Sequence, residues 1–85
     1  MTEIEVLSGP EGGFQVRAQG RSFAVTAPAG LAAELGAPDP ESLVRASFEF
    51  LLAREPAGSI LSQFDLTVIQ RYFPEWRHAM RERFA

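Results

Sequence analysis

The chain has 85 residues, 46% of them hydrophobic and 22% charged, with a net charge of −3 and no cysteine. That length supports one domain, residues 1–85, and the composition excludes collagen-like, mucin-like and wholly disordered chains. A disulfide scaffold and a thiolate metal site are excluded as well. One histidine cannot supply a structural zinc site, and the negative balance argues against a general binder of nucleic acid or anionic membrane.

Residues 1–27 read as a three-stranded antiparallel meander. Ile4 and Val6 alternate with Glu3 and Glu5, and Gly9-Pro10-Glu11-Gly12-Gly13 then breaks the chain. Phe14, Val16 and Ala18 alternate with Gln15, Arg17 and Gln19; Gln19-Gly20 is a two-residue hairpin turn; Phe23, Val25 and Ala27 alternate with Ser22, Ala24 and Thr26. A one-residue slip would turn every side chain to the other face, so the register can be read from the pattern. It sets Val16 opposite Phe23, Phe14 opposite Val25, Val6 opposite Val16 and Ile4 opposite Ala18. Glu5 then faces Arg17 on the wet side.

Pro28 ends the third strand, and residues 29–38 hold at most a helical turn or two before Gly36 and Pro38. Asp39-Pro40 starts a central helix, with Asp39 as N-cap, Pro40 at the first helical position and Glu41 at the positive end of the dipole. The helix falls within residues 39–55 and stops before Pro56. Its apolar positions, Leu43, Val44, Phe48, Phe50, Leu51 and Leu52, spread over about 200° of the circumference. Such a helix is buried on two sides. Residues 59–84 read as short C-terminal helices: Ser59 caps Ile60–Phe64, Asp65 caps a helix from Leu66 to Phe73, and Pro74 opens a last helix to Phe84. The last helix carries Trp76, Met80 and Phe84 on one side and Arg77, His78 and Arg81 on the other.

No constellation for catalysis emerges from these elements. His78 lies among arginines on a wet helix face, Asp39 and Asp65 are N-caps, and Ser59 and Ser62 have neither a Gly-flanked elbow nor a histidine partner. The Gly9–Gly13 stretch joins two strands and lacks the Lys-Ser/Thr of a phosphate loop. No cofactor, no metal and no small-molecule ligand is expected. The N-terminus has no basic and apolar leader, and no apolar run approaches ~18 residues, so a soluble, cytoplasmic protein is expected.

Basic charge gathers late in the chain, with four Arg against two Glu in residues 66–85. The run Ser62-Gln63-Phe64-Asp65-Leu66 through Arg71-Tyr72-Phe73-Pro74 resembles at its end the recognition-helix end of TetR-type helix-turn-helix repressors. It departs from them at Gln63, where that motif prefers glycine, and at Phe64 and Leu66, where its turn is polar or small. A second resemblance spans residues 40–76. Arg45-Ala46-Ser47-Phe48-Glu49-Phe50-Leu51-Leu52, Arg54-Glu55-Pro56, Ser59-Ile60-Leu61-Ser62, Phe64-Asp65-Leu66 and Tyr72-Phe73-Pro74-Glu75 together look like a family of short prokaryotic proteins of unknown function. It implies a free-standing protein and assigns no activity.

The sequence thus predicts an α+β fold in which a meander, a central helix and short C-terminal helices form one domain. Its predicted role is non-enzymatic, as an interaction or regulatory protein that binds another protein or a second copy of itself as a homodimer. The partner-binding candidates are Tyr72, Phe73, Trp76, Arg77, Met80 and Phe84, because aromatic residues interleaved with Arg are enriched at interface hot spots. The alternative is a helix-turn-helix-like nucleic-acid binder using residues 59–84.

Overall fold

A computed structural model describes residues 3–9 and 12–85. Pro10 and Glu11 of the expected first hairpin loop lie outside the described residues, as do Met1 and Thr2. Strands β1 (Ile4–Ser8), β2 (Gly13–Ala18) and β3 (Arg21–Thr26) form the antiparallel meander. Its register pairs Ile4 with Ala18, Val6 with Val16, Val16 with Phe23 and Phe14 with Val25, as the alternation requires. Gln19 and Gly20 both adopt positive φ, 52° and 77°, the two-residue turn whose twist matches that of the flanking strands. Glu5 and Arg17 meet at 3.9 Å on the solvent face, an exposed pair that contributes little.

The short helix α1 (Leu31–Glu34) ends at Gly36. There the Gly36 N–H donates to Ala33 O and the Ala37 N–H to Ala32 O. This paired closure needs the left-handed backbone that glycine supplies, φ 85° here. Helix α2 (Pro40–Leu52) begins as expected: the Asp39 carboxylate accepts the Ser42 N–H at 2.7 Å. It lies on the apolar face of the sheet and packs against α4 (Trp76–Arg83) on its other side. Arg45, on α2, donates to the Ile4 carbonyl. That contact occupies one backbone acceptor of strand β1, which lies at the sheet's edge, where unpaired groups invite strand addition.

The expected helix Ile60–Phe64 is not formed. Residues Ala57–Ser59 make one 3₁₀ turn, Ile60 is extended, and Gln63–Asp65 form a fourth strand, β4, parallel to β3. There is no helix for Ser59 to cap. Tertiary hydrogen bonds decide the outcome: the Ala24 N–H donates to Ser62 O at 2.8 Å, and the Thr26 hydroxyl donates to Asp65 at 2.6 Å. The sheet therefore has four strands, in the order β1-β2-β3-β4, where the sequence predicts three. Beyond β4 a 3₁₀ turn, Leu66–Val68, leads into α3 (Ile69–Tyr72), and then α4 follows. One core gathers the inner faces of the sheet, α1, α2 and the C-terminal helices.

Candidate functional site

Helix α2 ends beside the segment that returns to the sheet, and the two leave an open groove between them. Leu51 and Glu55 form one wall; Val68, Ile69, Tyr72 and Phe73 form the other; Ser59, Ile60, Leu61 and Phe64 complete it. The groove encloses about 180 Å³. Its shape follows from local structure. Pro56 follows the end of α2, and the 3₁₀ turn at Ala57–Ser59 carries the chain toward β4. The Asp65 carboxylate then accepts the Thr67 N–H at 3.0 Å and starts the turn that swings the chain away from the sheet. Two large apolar side chains on the groove face water: Leu61 is 50% exposed and Tyr72 67%.

The six candidates from the sequence fall into different environments. Tyr72 and Phe73 line the groove, with Phe73 held edge-on to Phe50 at 5.8 Å. Trp76 and Met80 are in the core, 0% and 3% exposed, and no partner reaches them in the folded protein. Their apolar stripe faces α2 because Ser47 leaves room there. The Trp76 Nε1–H donates to Ser47 Oγ at 3.1 Å, and the Ser47 hydroxyl lies 3.8 Å from Met80 Sδ. Arg77 is half-buried, donating to Gln70 at 2.7 Å and pairing with Glu34. Phe84 is half-buried against the core, beside Gly36. Of the six, Tyr72 and Phe73 therefore lie on the groove, beside Ile60, Leu61, Phe64 and Val68. A signal for these was present, since Ile60, Ser62 and Phe64 alternate as a strand would.

Charge around the C-terminal helices is largely paired. Arg54 meets Glu75 at 3.7 Å and stacks over the Phe50 ring at 3.6 Å; Arg83 pairs with Glu49; His78 meets Glu82 at 2.9 Å. Where the sequence resembles a helix-turn-helix, the chain forms a 3₁₀ turn at Ala57–Ser59, strand β4, a second 3₁₀ turn at Leu66–Val68 and the four-residue helix α3. Among the described residues no group of three or more His, Asp or Glu side chains is placed to hold a metal ion.

Asp65 joins the groove to the sheet. Burial raises its carboxyl, but hydrogen bonds from the Thr26 hydroxyl and from the Thr67 hydroxyl and amide outweigh this and hold it below the ordinary 3.8. The Ser42 amide and hydroxyl hold Asp39 below the same value, and the hydrogen bond and charge of Arg77 hold Glu34 below 4.5. A depressed carboxyl contributes stability that is complete above its unfolded-state value and is lost as pH falls through the folded one. The urea midpoint should therefore fall on acidification below about pH 4. Asp65→Ala should cost about 1–2 kcal/mol at neutral pH, a figure kept modest by solvent at the site, and should leave a shallower acid limb. Urea titrations of both proteins across the acid range check this; an unchanged acid limb would remove Asp65 from the account.

No protein family, no curated protein and no solved structure matches this chain. No helix is long and apolar enough to cross a membrane among the described residues.

Proposed function

We propose that this protein is a small, non-enzymatic interaction module that receives apolar side chains of a protein partner in the groove between α2 and α3. The observation that carries this reading is the exposure of Leu61 and Tyr72 on an apolar groove, when most large hydrophobic side chains of the chain are buried. Apolar surface gathered beside a concavity marks interaction sites, whereas single exposed hydrophobics do not. Tyrosine adds a large, stiff contact with a polar tip, the composition of an interface anchor. We place the protein in the cytoplasm, in keeping with described residues that form no helix long and apolar enough to cross a membrane. The residues that carry the resemblance to short prokaryotic proteins of unknown function include most of this groove, and membership of that family is part of the proposal.

The test compares two exposed leucines. Leu61 borders the groove; Leu7, 45% exposed, stands on the solvent face of β1 away from it. Leu61→Asp should abolish association with the partner, while Leu7→Asp should leave it intact, with circular dichroism confirming that both variants fold. Association is read by sedimentation of the pure chain and by tagged capture with and without nuclease. Loss in both variants or in neither would overturn the groove as the docking surface. Nuclease-sensitive capture would favour a nucleic-acid partner.

A further inference from the structure

We propose that the occupant of the groove is a second copy of this chain, docked groove to groove about a two-fold axis that runs along it. The inference rests on the groove being a protein-docking surface and adds the identity of the partner. A two-fold contact uses one patch twice, so the patch must contain its own complement. This one does. Glu55 stands in the α2 wall, and Arg71 is exposed on α3, next to Tyr72 in the opposite wall. Neither side chain has an ion-pair partner among the described residues, a state Arg71 shares with Arg21, Arg45 and Arg81 and not with Arg17, Arg54, Arg77 and Arg83.

An axis along the groove brings the α2 wall of one copy over the α3 wall of the other. Each Glu55 is then set toward Arg71 of the second copy, and each Tyr72, in the α3 wall, toward the α2 wall of the other, with Leu61 covered between them. An axis across the groove would instead set like walls together, Glu55 against Glu55. A standard interface takes roughly 800 Å² from each partner, about one-sixth of the 5124 Å² that the chain exposes, so the contact has to extend from the groove over the face around it. A molecule measuring 30 × 28 × 24 Å offers that on one face. Association also covers the exposed Leu61 and Tyr72 of a chain whose own core is small.

Sedimentation equilibrium of the full chain at micromolar to submillimolar concentration tests the inference. The expected particle has twice the 9.4 kDa mass of the chain. Glu55→Arg and Arg71→Glu should each weaken association by about tenfold or more, and the double reversal should restore it to within roughly threefold of the parent. Leu61→Asp should give monomer throughout. A parent chain that stays monomeric at every concentration overturns the second copy as occupant. The docking reading would then stand or fall on the Leu61→Asp and Leu7→Asp capture comparison alone. A dimer that both single reversals leave unchanged overturns the pairing and its axis, and a dimer indifferent to Leu61→Asp overturns the groove with it.

Discussion

Trp76→Ala is expected to remove about 3–5 kcal/mol of folding stability and to lower the melting temperature by on the order of 20 °C. Trp76 is fully buried, and it is the side chain through which α4 reaches the far side of α2. Its loss leaves a cavity against Ser47 and Met80, and neither side chain is large enough to fill it. The hydrogen bond adds a separable part. Ser47→Ala keeps nearly the same volume but strands the buried Nε1–H, at a cost of about 1–3 kcal/mol. Thermal unfolding of the two single variants and of the double variant separates packing from hydrogen bonding, because the serine effect should vanish once the indole is gone. A chain that tolerates Trp76→Ala with a loss below about 1 kcal/mol would mean that α4 is not part of the cooperative core.

Phe48→Ala is expected to cost as much, about 3–5 kcal/mol, and to damage the groove as well. The Phe48 ring is 0% exposed, with ring centroids 5.1 Å from Phe23 on β3 and 5.9 Å from Phe64 on β4. It is thus the piece of α2 on which both partners of the parallel strand pair rest. Phe48→Leu keeps most of the volume and should lose less than about 1.5 kcal/mol. Chemical denaturation gives both values. Equal losses for alanine and leucine would show that ring stacking, and not filled volume, is what the site needs.

Legibility differed sharply between the halves of the chain. The meander was readable because hairpin register depends on neighbours in sequence: a Gln-Gly turn and an alternating pattern leave one consistent pairing. The cap at Asp39 and the two-sided burial of α2 were readable for the same local reason. Residues 60–65 were not. Ile60 and Phe64 are four apart, as on a helix, while Ile60, Ser62 and Phe64 alternate, as on a strand, and the choice is made by Ala24 and Thr26 far away in sequence. Trp76 and Met80 show a second limit. An apolar stripe says that a helix is covered, not whether its own chain or another covers it. Ser47 was the clue that this stripe turns inward, and a serine in the middle of an apolar helix has no local reading.

The parallel pairing of β3 and β4 also bears on the order in which the molecule assembles. Its hairpins close over a few residues, whereas Thr26 meets Asp65 across 39 positions. Closing so long a loop costs chain entropy before any contact repays it, so the β3–β4 ladder waits for α2 to dock. β4 has only three residues and lies at the sheet's edge, so its pairing is expected to arrive last and open first. Amide exchange reads that order directly, with β4 exchanging ahead of β2. Phe64 of this strand lines the groove, so part of the apolar surface there is tied to the pairing expected to open first.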